Sequence, residues 1–314
     1  MTHFTSCLEA ISITLSGNVC QGWVRLTTHV YPTIGSRQLD KLRTSHVEAM
    51  LKGMADAGKA RSTVVRARSV LKLALDDAER LDIIVRNVAR IAKIPMPPDE
   101  VKTRSLTHEE AKRLLVAAKG DRLETAWLVA LSLGLRSGEV RGLKWADIDL
   151  DAPTLTVNQA VKLMPKDGPD SPEYLYLGNP KTKKSRRKLQ LAPMVVTSLM
   201  SHRLRQAAER LAAGERWSDL DLVFPSKVGT ILDASNYRRH FDAVAAIAGI
   251  SDIHPHLLRH SFVSLLMDDG VPAIRVADSA GHTDTRMTER VYRHALEASE
   301  SSHVEPMERI LAVS

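Results

Sequence analysis

The residues of this sequence able to do chemistry are arginines, histidines, lysines and one tyrosine set at turns and helix ends. In Gly134-Leu135-Arg136-Ser137-Gly138-Glu139 an arginine stands between two glycines after a mostly apolar stretch, with a carboxylate three residues on. A guanidinium held on such a turn offers a planar fork of donors that fits a phosphate. Judged alone, the segment is first a surface turn. His256-Leu257-Leu258-Arg259-His260 puts His256 and Arg259 on one helical face, beside the apolar stripe Leu258, Ser261, Phe262 and Leu265. The pair joins a proton-transfer group to a fixed cation, with an ordinary solvated face as the equal alternative. The run from Lys181 to Lys188 has six basic residues in eight. Such runs usually coat solvated surface, although a basic β-turn also reaches backbone phosphates. Gly281-His282 offers a histidine from the end of a helix that starts at Pro272. Tyr292 flanks the stripe Met287, Val291, Ala295 and Ala298, where a tyrosine is most often packing.

The elements that must position these groups are mostly helices. Ser45 with Glu48 makes a capping-box pattern ahead of Val47, Met50, Leu51 and Met54 at i, i+3, i+4, i+7. A second helix begins near Ser62, with Leu71, Ala74, Leu75 and Ala78 on one face and Arg66, Arg68 and Lys72 elsewhere on its surface, which predicts a small helical domain with a basic face. Three prolines between Pro95 and Pro98 forbid a continuous helix and mark a linker. Thr107 and Glu110 then form a capping box, with Leu106 and Ala111 as a staple. A helical segment around Trp127 to Leu133 ends at Gly134, and helical periods return from Phe241 onward. Thr154 to Val161, Tyr174 to Leu177 and Lys188 to Leu191 predict a three-stranded antiparallel insert.

Composition narrows the classes. The 314 residues exceed one ordinary domain of ~100–200, and 44% hydrophobic content is that of a globular chain. Lys and Arg outnumber Asp and Glu by 44 to 37, a net +7 that favours a polyanionic partner. The two cysteines, Cys7 and Cys20, lie outside any metal or disulfide pattern. With no run near ~18 apolar residues and no signal-peptide pattern, a cytoplasmic protein with no membrane partner is expected.

Taken together, the five motifs resemble the tyrosine recombinase (phage integrase) family. The matching text is GLRSGEVRGLKWADID, PKTKKSRRKLQL, HPHLLRHSF and AGHTDTRMTERVYRH, in family order between Arg104 and Ala298. A looser likeness, from HVYPTIGSRQLDKL to Ile94-Pro95, is similar to the family's helical core-binding domain. The sequence departs from the pattern at Ala280 before Gly-His, at His254 as a competing histidine, and at Val88 where a proline often stands.

The resemblance implies a mainly α fold with a small antiparallel β-sheet and two domains. They are an unassigned segment over 1–27, a helical core-binding domain over 28–94 whose truncation is left open, a linker over 95–103, and a mixed α/β catalytic domain with a C-terminal tail over 104–314. It also implies roles. Arg136 and Arg259 would clamp the scissile phosphate, His256 would take the nucleophile's proton, His282 would add a phosphate hydrogen bond, and Tyr292 would be the nucleophile. Glu139 would support the first arginine. Lys181 would protonate the leaving 5′-oxygen, preferred over Lys183 and Lys184 because it opens the turn and Asn179-Pro180 stiffens its approach. Arg66, Arg68, Lys72, Lys183, Lys184, Arg186 and Arg187 would contact DNA.

The implied reaction is site-specific recombination for a phage or other mobile element through a 3′-phosphotyrosine, which conserves the phosphodiester energy and calls for no cofactor and no metal. Double-stranded DNA attachment sites, a homotetramer on DNA and accessory DNA-bending proteins are the implied partners. Two other readings share these residues: a DNA-binding but recombination-defective integrase remnant, and a type IB topoisomerase.

Overall fold

A computed structural model describes residues 26–95, 104–164, 174–179 and 186–281. They fall into two compact units, one made of 26–95 and the other of the remaining described residues. Each is built around its own apolar cluster.

The first unit rests on α1 (Thr44–Asp56) and α2 (Arg61–Arg80). The predicted stripe of α1 is buried at Val47, Met50, Leu51 and Met54, and that of α2 at Leu71, Ala74, Leu75 and Ala78, extended upstream by Val64 and Ala67. These faces close over Val30, Ile34, Leu39 and Val88. The expected Ser45/Glu48 capping box does not form. The helix starts two residues earlier, with Arg43 as its N-cap, Arg43 N donates to His46 Nδ1 at 3.3 Å, and the Glu48 carboxylate accepts from Lys93 N at 2.9 Å. A distant amide competes successfully for that carboxylate, and nothing within four residues of Ser45 announces it.

The basic face expected on α2 is largely committed to internal partners. Arg68 donates through Nε to Ala89 O and through Nη2 to Arg90 O, each at 3.1 Å, and Lys72 pairs with Asp76 at 2.6 Å. Asp76 also accepts from Asn87 Nδ2 at 2.7 Å and pairs with Arg90 at 2.6 Å, while Arg90 reaches Glu79 at 2.7 Å. Of the three basic residues expected to face DNA here, Arg66 is the exposed one.

In the second unit the Thr107/Glu110 capping box forms as predicted, with Glu110 N donating to Thr107 Oγ1 at 3.1 Å and Thr107 N to Glu110 Oε2 at 3.0 Å. It opens α3 (His108–Ala117). Next comes α4 (Glu124–Leu133), buried on nearly every face, as its apolar composition requires. Its Trp127 packs at 4.5 Å from Tyr237 and 5.3 Å from Phe241, ring centre to ring centre, both on α7. The short α5 (Ser137–Arg141) precedes the strands, and α6 (Pro193–Ala213), α7 (Ala234–Ile247), α8 (Leu257–Asp268) and α9 (Ala273–Ala280) follow them.

The β-structure differs from the single three-stranded insert that was expected. The run from Thr154 to Val161 is split by Asn158-Gln159 into β2 (Thr154–Val157) and β3 (Ala160–Met164). With β1 (Ile148–Asp149) and β5 (Arg187–Gln190), β2 forms an antiparallel sheet in the order β1-β2-β5, in which Leu155 faces Leu189 and Val157 faces Arg187. A separate hairpin pairs β3 with β4 (Tyr174–Gly178), Lys162 opposite Tyr176. Two polar residues at the break let the chain change sheets, and Gln159 Nε2 donates to Gly142 O at 2.8 Å. Among the described residues no helix is long and apolar enough to cross a membrane.

Candidate active site

The site starts at the end of α4. Gly134 closes that helix with φ +61°, in the left-handed region, and a Cβ there would run into the ring of Phe262. Backbone conformation and close approach both demand glycine. The turn delivers Arg136 to the N-cap of α5, where Glu139 grips it twice: Arg136 N donates to Glu139 Oε2 at 3.0 Å and Arg136 Nη1 to Glu139 Oε1 at 2.9 Å. The third contact, Arg136 Nη2 to Gly281 O at 3.3 Å, brings in the end of α9.

Arg259 comes from the first turn of α8, for which His256 is the N-cap. It is buried, and its Nη1 donates to Gly134 O at 2.8 Å, locking it to the turn that carries Arg136. Its Nη2 is also buried and has no hydrogen-bond partner among the described residues. Burial, together with the Arg136 and Arg187 cations, pushes the Arg259 guanidinium down to about 9, against the pull of Glu139; it remains charged at neutral pH.

His256 keeps an exposed edge. Its ring lies 6.4 Å from that of His254, nearly parallel, and 4.9 Å from that of His260, edge to face. Partial withdrawal from water, then His260, Arg259, His254 and Arg136 in turn, push its imidazole down to about 4, so it is neutral at pH 7 and able to accept a proton.

One residue of this cluster was expected to face DNA. Arg187 opens β5 with its side chain only 7% exposed, donates through Nε to Ser279 O at 2.7 Å and pairs through Nη2 with Glu139 Oε2 at 3.0 Å. These contacts tie its side chain to protein acceptors. Burial disfavours the charged form of Glu139, but Arg187 and Arg136 more than offset this and hold its carboxyl below the usual range. A signal was available in the sequence: Arg187 is two residues before Leu189, and alternation along a strand sends both to one face. Arg186, one residue earlier, is exposed and donates to Asn179 Oδ1 at 3.1 Å.

The structure thus gathers Arg136, Glu139, His256 and Arg259 from two separated segments, and adds Arg187 from a third. Lys181, Lys183, Lys184, His282 and Tyr292 lie outside the described residues, as do most of the predicted linker, the segment before Leu26 and the tail after Gly281. Gly281 itself closes α9 at φ +67°, as expected of a glycine before His282. Among the described residues, three guanidinium groups against one carboxylate make a cationic cluster with a spare buried donor, which is the electrostatic signature of an anion site.

Comparison with known proteins agrees with this arrangement. The sequence model of the Phage integrase family matches residues 104–299. An integrase of Streptomyces ambofaciens is 36% identical over 275 residues, covering 84% of this chain and 68% of that protein. A XerC-like tyrosine recombinase of Caldanaerobacter subterraneus subsp. tengcongensis is 29% identical over 276 residues, covering 85% and 71%. Among solved structures, the Tn1549 transposon integrase bound to transposon right end DNA superposes with a TM-score of 0.78 at 19% identity, over 95% of this chain and 98% of that one. A lambda integrase dimer bound to a core site superposes with a TM-score of 0.68 at 18% identity, over 97% and 99%. At these identities the structural likeness speaks for the fold, mainly helical with small antiparallel sheets. The family is carried by the sequence: this chain belongs to the phage integrase family of tyrosine recombinases.

Proposed function

We propose that this site-specific recombinase of a mobile element cuts and rejoins DNA with Arg136 and Arg259 clamping the scissile phosphate, His256 accepting the nucleophile's proton and Tyr292 attacking phosphorus. The observation that carries the phosphate assignment is the buried Arg259 Nη2, which lies beside Arg136 and has no partner among the described residues. A buried donor left unpaired costs about 1–3 kcal/mol or more when charged, a cost that a bound anion removes.

The chemistry follows. A phosphodiester anion repels nucleophiles, and its pentavalent transition state gathers more negative charge on the equatorial oxygens, so fixed guanidinium groups stabilise it preferentially. Tyr292 attacks phosphorus through its phenolate oxygen, the phosphorus bond to the 5′-oxygen breaks, and a 3′-phosphotyrosyl bond remains. The phenolic proton passes to neutral His256, and Lys181 supplies a proton to the departing 5′-oxygen. His282 adds a hydrogen bond to the phosphate. Reversal by the 5′-hydroxyl of another strand completes the exchange. Tyr237, the competing tyrosine on α7, is buried in the core with its hydroxyl pushed above the usual range by burial, which favours Tyr292.

The partners proposed are duplex attachment sites. The resemblance to a lambda integrase tetramer bound to a Holliday junction, with a TM-score of 0.67 at 18% identity, supports action as a tetramer on DNA. Accessory DNA-bending proteins are part of the same proposal, as is a helical DNA-binding role for 28–94 with the catalytic role in 104–314.

The test is covalent trapping on a nicked duplex from which the cleaved strand diffuses away. Wild type should accumulate a protein–DNA adduct in the presence of EDTA, and Tyr292→Phe should form none while binding the duplex nearly as well. An adduct that survives Tyr292→Phe overturns the nucleophile.

A further inference from the structure

Arg187 sits where three parts of the site meet. It opens β5, pairs with Glu139, and caps the carbonyl of Ser279 on α9. The backbone of Gly281 lies directly against it, since a Cβ built there would come within 3.1 Å of Arg187 Nη1 and 3.2 Å of Arg187 Cδ. The same glycine's carbonyl accepts from Arg136, and the next residue in the chain is His282. Glu139 Oε2 is shared between Arg187 Nη2 and Arg136 N, so one carboxylate oxygen joins the two arginines.

We infer that Arg187 is a positioning residue of the recombinase active site: its guanidinium orients Glu139, and through it Arg136, while holding the end of α9 from which His282 follows. The inference rests on the phosphate-clamp reading above. The Arg187 side chain is almost wholly buried, and its contacts to Glu139, Ser279 and the Gly281 backbone let it act through Arg136 and the end of α9. The role needs the fork of an arginine. Two acceptors, a carboxylate and a main-chain carbonyl, are engaged at once by separate nitrogens of one rigid plane, and a lysine ammonium on a flexible stem cannot reproduce that geometry. A buried guanidinium clustered with two further arginines is a costly way to stabilise a fold. Its place is explained by the alignment of the phosphate clamp.

The experiment compares full-length wild type, Arg187→Gln and Arg187→Lys in single-turnover cleavage of the nicked duplex, on normal DNA and on DNA with sulfur replacing the bridging 5′-oxygen. Arg187→Gln is expected to slow cleavage at saturating DNA about 100-fold or more while the half-saturating DNA concentration moves less than threefold, and Arg187→Lys is expected to recover less than a tenth of the wild-type rate. Sulfur is a better leaving group, so it should rescue Lys181→Ala but leave Arg187→Gln slow, because the phosphate clamp is still misaligned. Cleavage by Arg187→Gln within fivefold of wild type overturns the inference. Full activity in Arg187→Lys overturns it too, by showing that charge alone suffices, and should Arg187→Gln not fold, this variant decides the matter. Rescue of Arg187→Gln by sulfur moves the residue's action to the lysine turn and likewise overturns it. Wild type that forms no adduct at all condemns the recombinase reading of the site itself, a different failure from any of these.

Discussion

Each unit of the molecule carries an arginine and carboxylate network, and the two are built to opposite accounts of charge. In the helical unit, Asp76 and Glu79 face Lys72 and Arg90, with Asn87 donating to Asp76 and Arg68 donating to main-chain carbonyls. In the site, Glu139 pairs with both Arg136 and Arg187, Arg259 stands beyond it, and a buried guanidinium nitrogen of Arg259 has no partner among the described residues. A matched network ties α2 to the turn at Val88–Arg90 and ends there. An unmatched one keeps an unfavourable concentration of positive charge in place, at a cost to the fold that a phosphate can offset. The imbalance, more than the presence of arginines, separates a binding site from a brace.

Four experiments break or sharpen this contrast. The largest effect should come from Arg259→Met, which removes the unmatched charge but keeps most of the volume. Cleavage is expected to fall about 10³-fold, in line with loss of a preorganised donor to a transition-state anion, while the melting temperature does not drop below that of wild type. A clear drop would mean that Arg259 braces the fold as Arg90 does.

Asp76→Asn breaks the matched network instead. Here unfolding in urea should show a loss of about 1–3 kcal/mol, the range for charge-assisted hydrogen bonds to a partly buried carboxylate, with the cleavage rate of bound complexes unchanged. A slowed rate at full stability would contradict the division of labour.

A finer distinction lies on α2. Arg66→Ala should reduce the salt dependence of DNA binding by about 0.9, the slope for one lost phosphate contact, whereas Lys72→Ala should change it much less because Asp76 already neutralises Lys72. Binding titrations between low and moderate salt measure both, and equal changes would restore Lys72 to the DNA-facing surface.

The smallest effect concerns acid. His256 is held at about 4, against ~6.5 unfolded. Between these values the unfolded chain binds the proton more readily, so stability falls as pH falls through that window. His202 and His260, in the same unit, are also pushed down, chiefly by burial. Asp76, held below its usual value, loses its contribution only at lower pH. His256→Gln should therefore lose less unfolding free energy than wild type on going from pH 7 to pH 5. Parallel losses would show that His256 titrates in the fold as it does in the unfolded chain.

Much of this arrangement is local, and what is local was legible. The Thr107/Glu110 box, the buried stripes of α1 and α2, and the left-handed glycines Gly134 and Gly281 depend on residues within a few positions of each other. The same holds for His256 and Arg259 at the start of one helix. Partner choice is another matter. Ser45 and Glu48 carry a valid capping pattern, yet Glu48 is taken by an amide 45 residues away. The basic run from Lys181 to Lys188 looks uniform, yet Arg186 is exposed and Arg187 is buried against Glu139 and Ser279, 48 and 92 residues distant. The break at Asn158-Gln159 that sends β2 and β3 to different sheets depends likewise on where Gly142 lies. By itself the sequence determined several of the helices, some of their ends, the order of the motifs and the family. The tertiary structure alone decided which cations remain unmatched, because a guanidinium's role is set by the acceptors that packing brings within about 3 Å of it, and those acceptors lie far away along the chain.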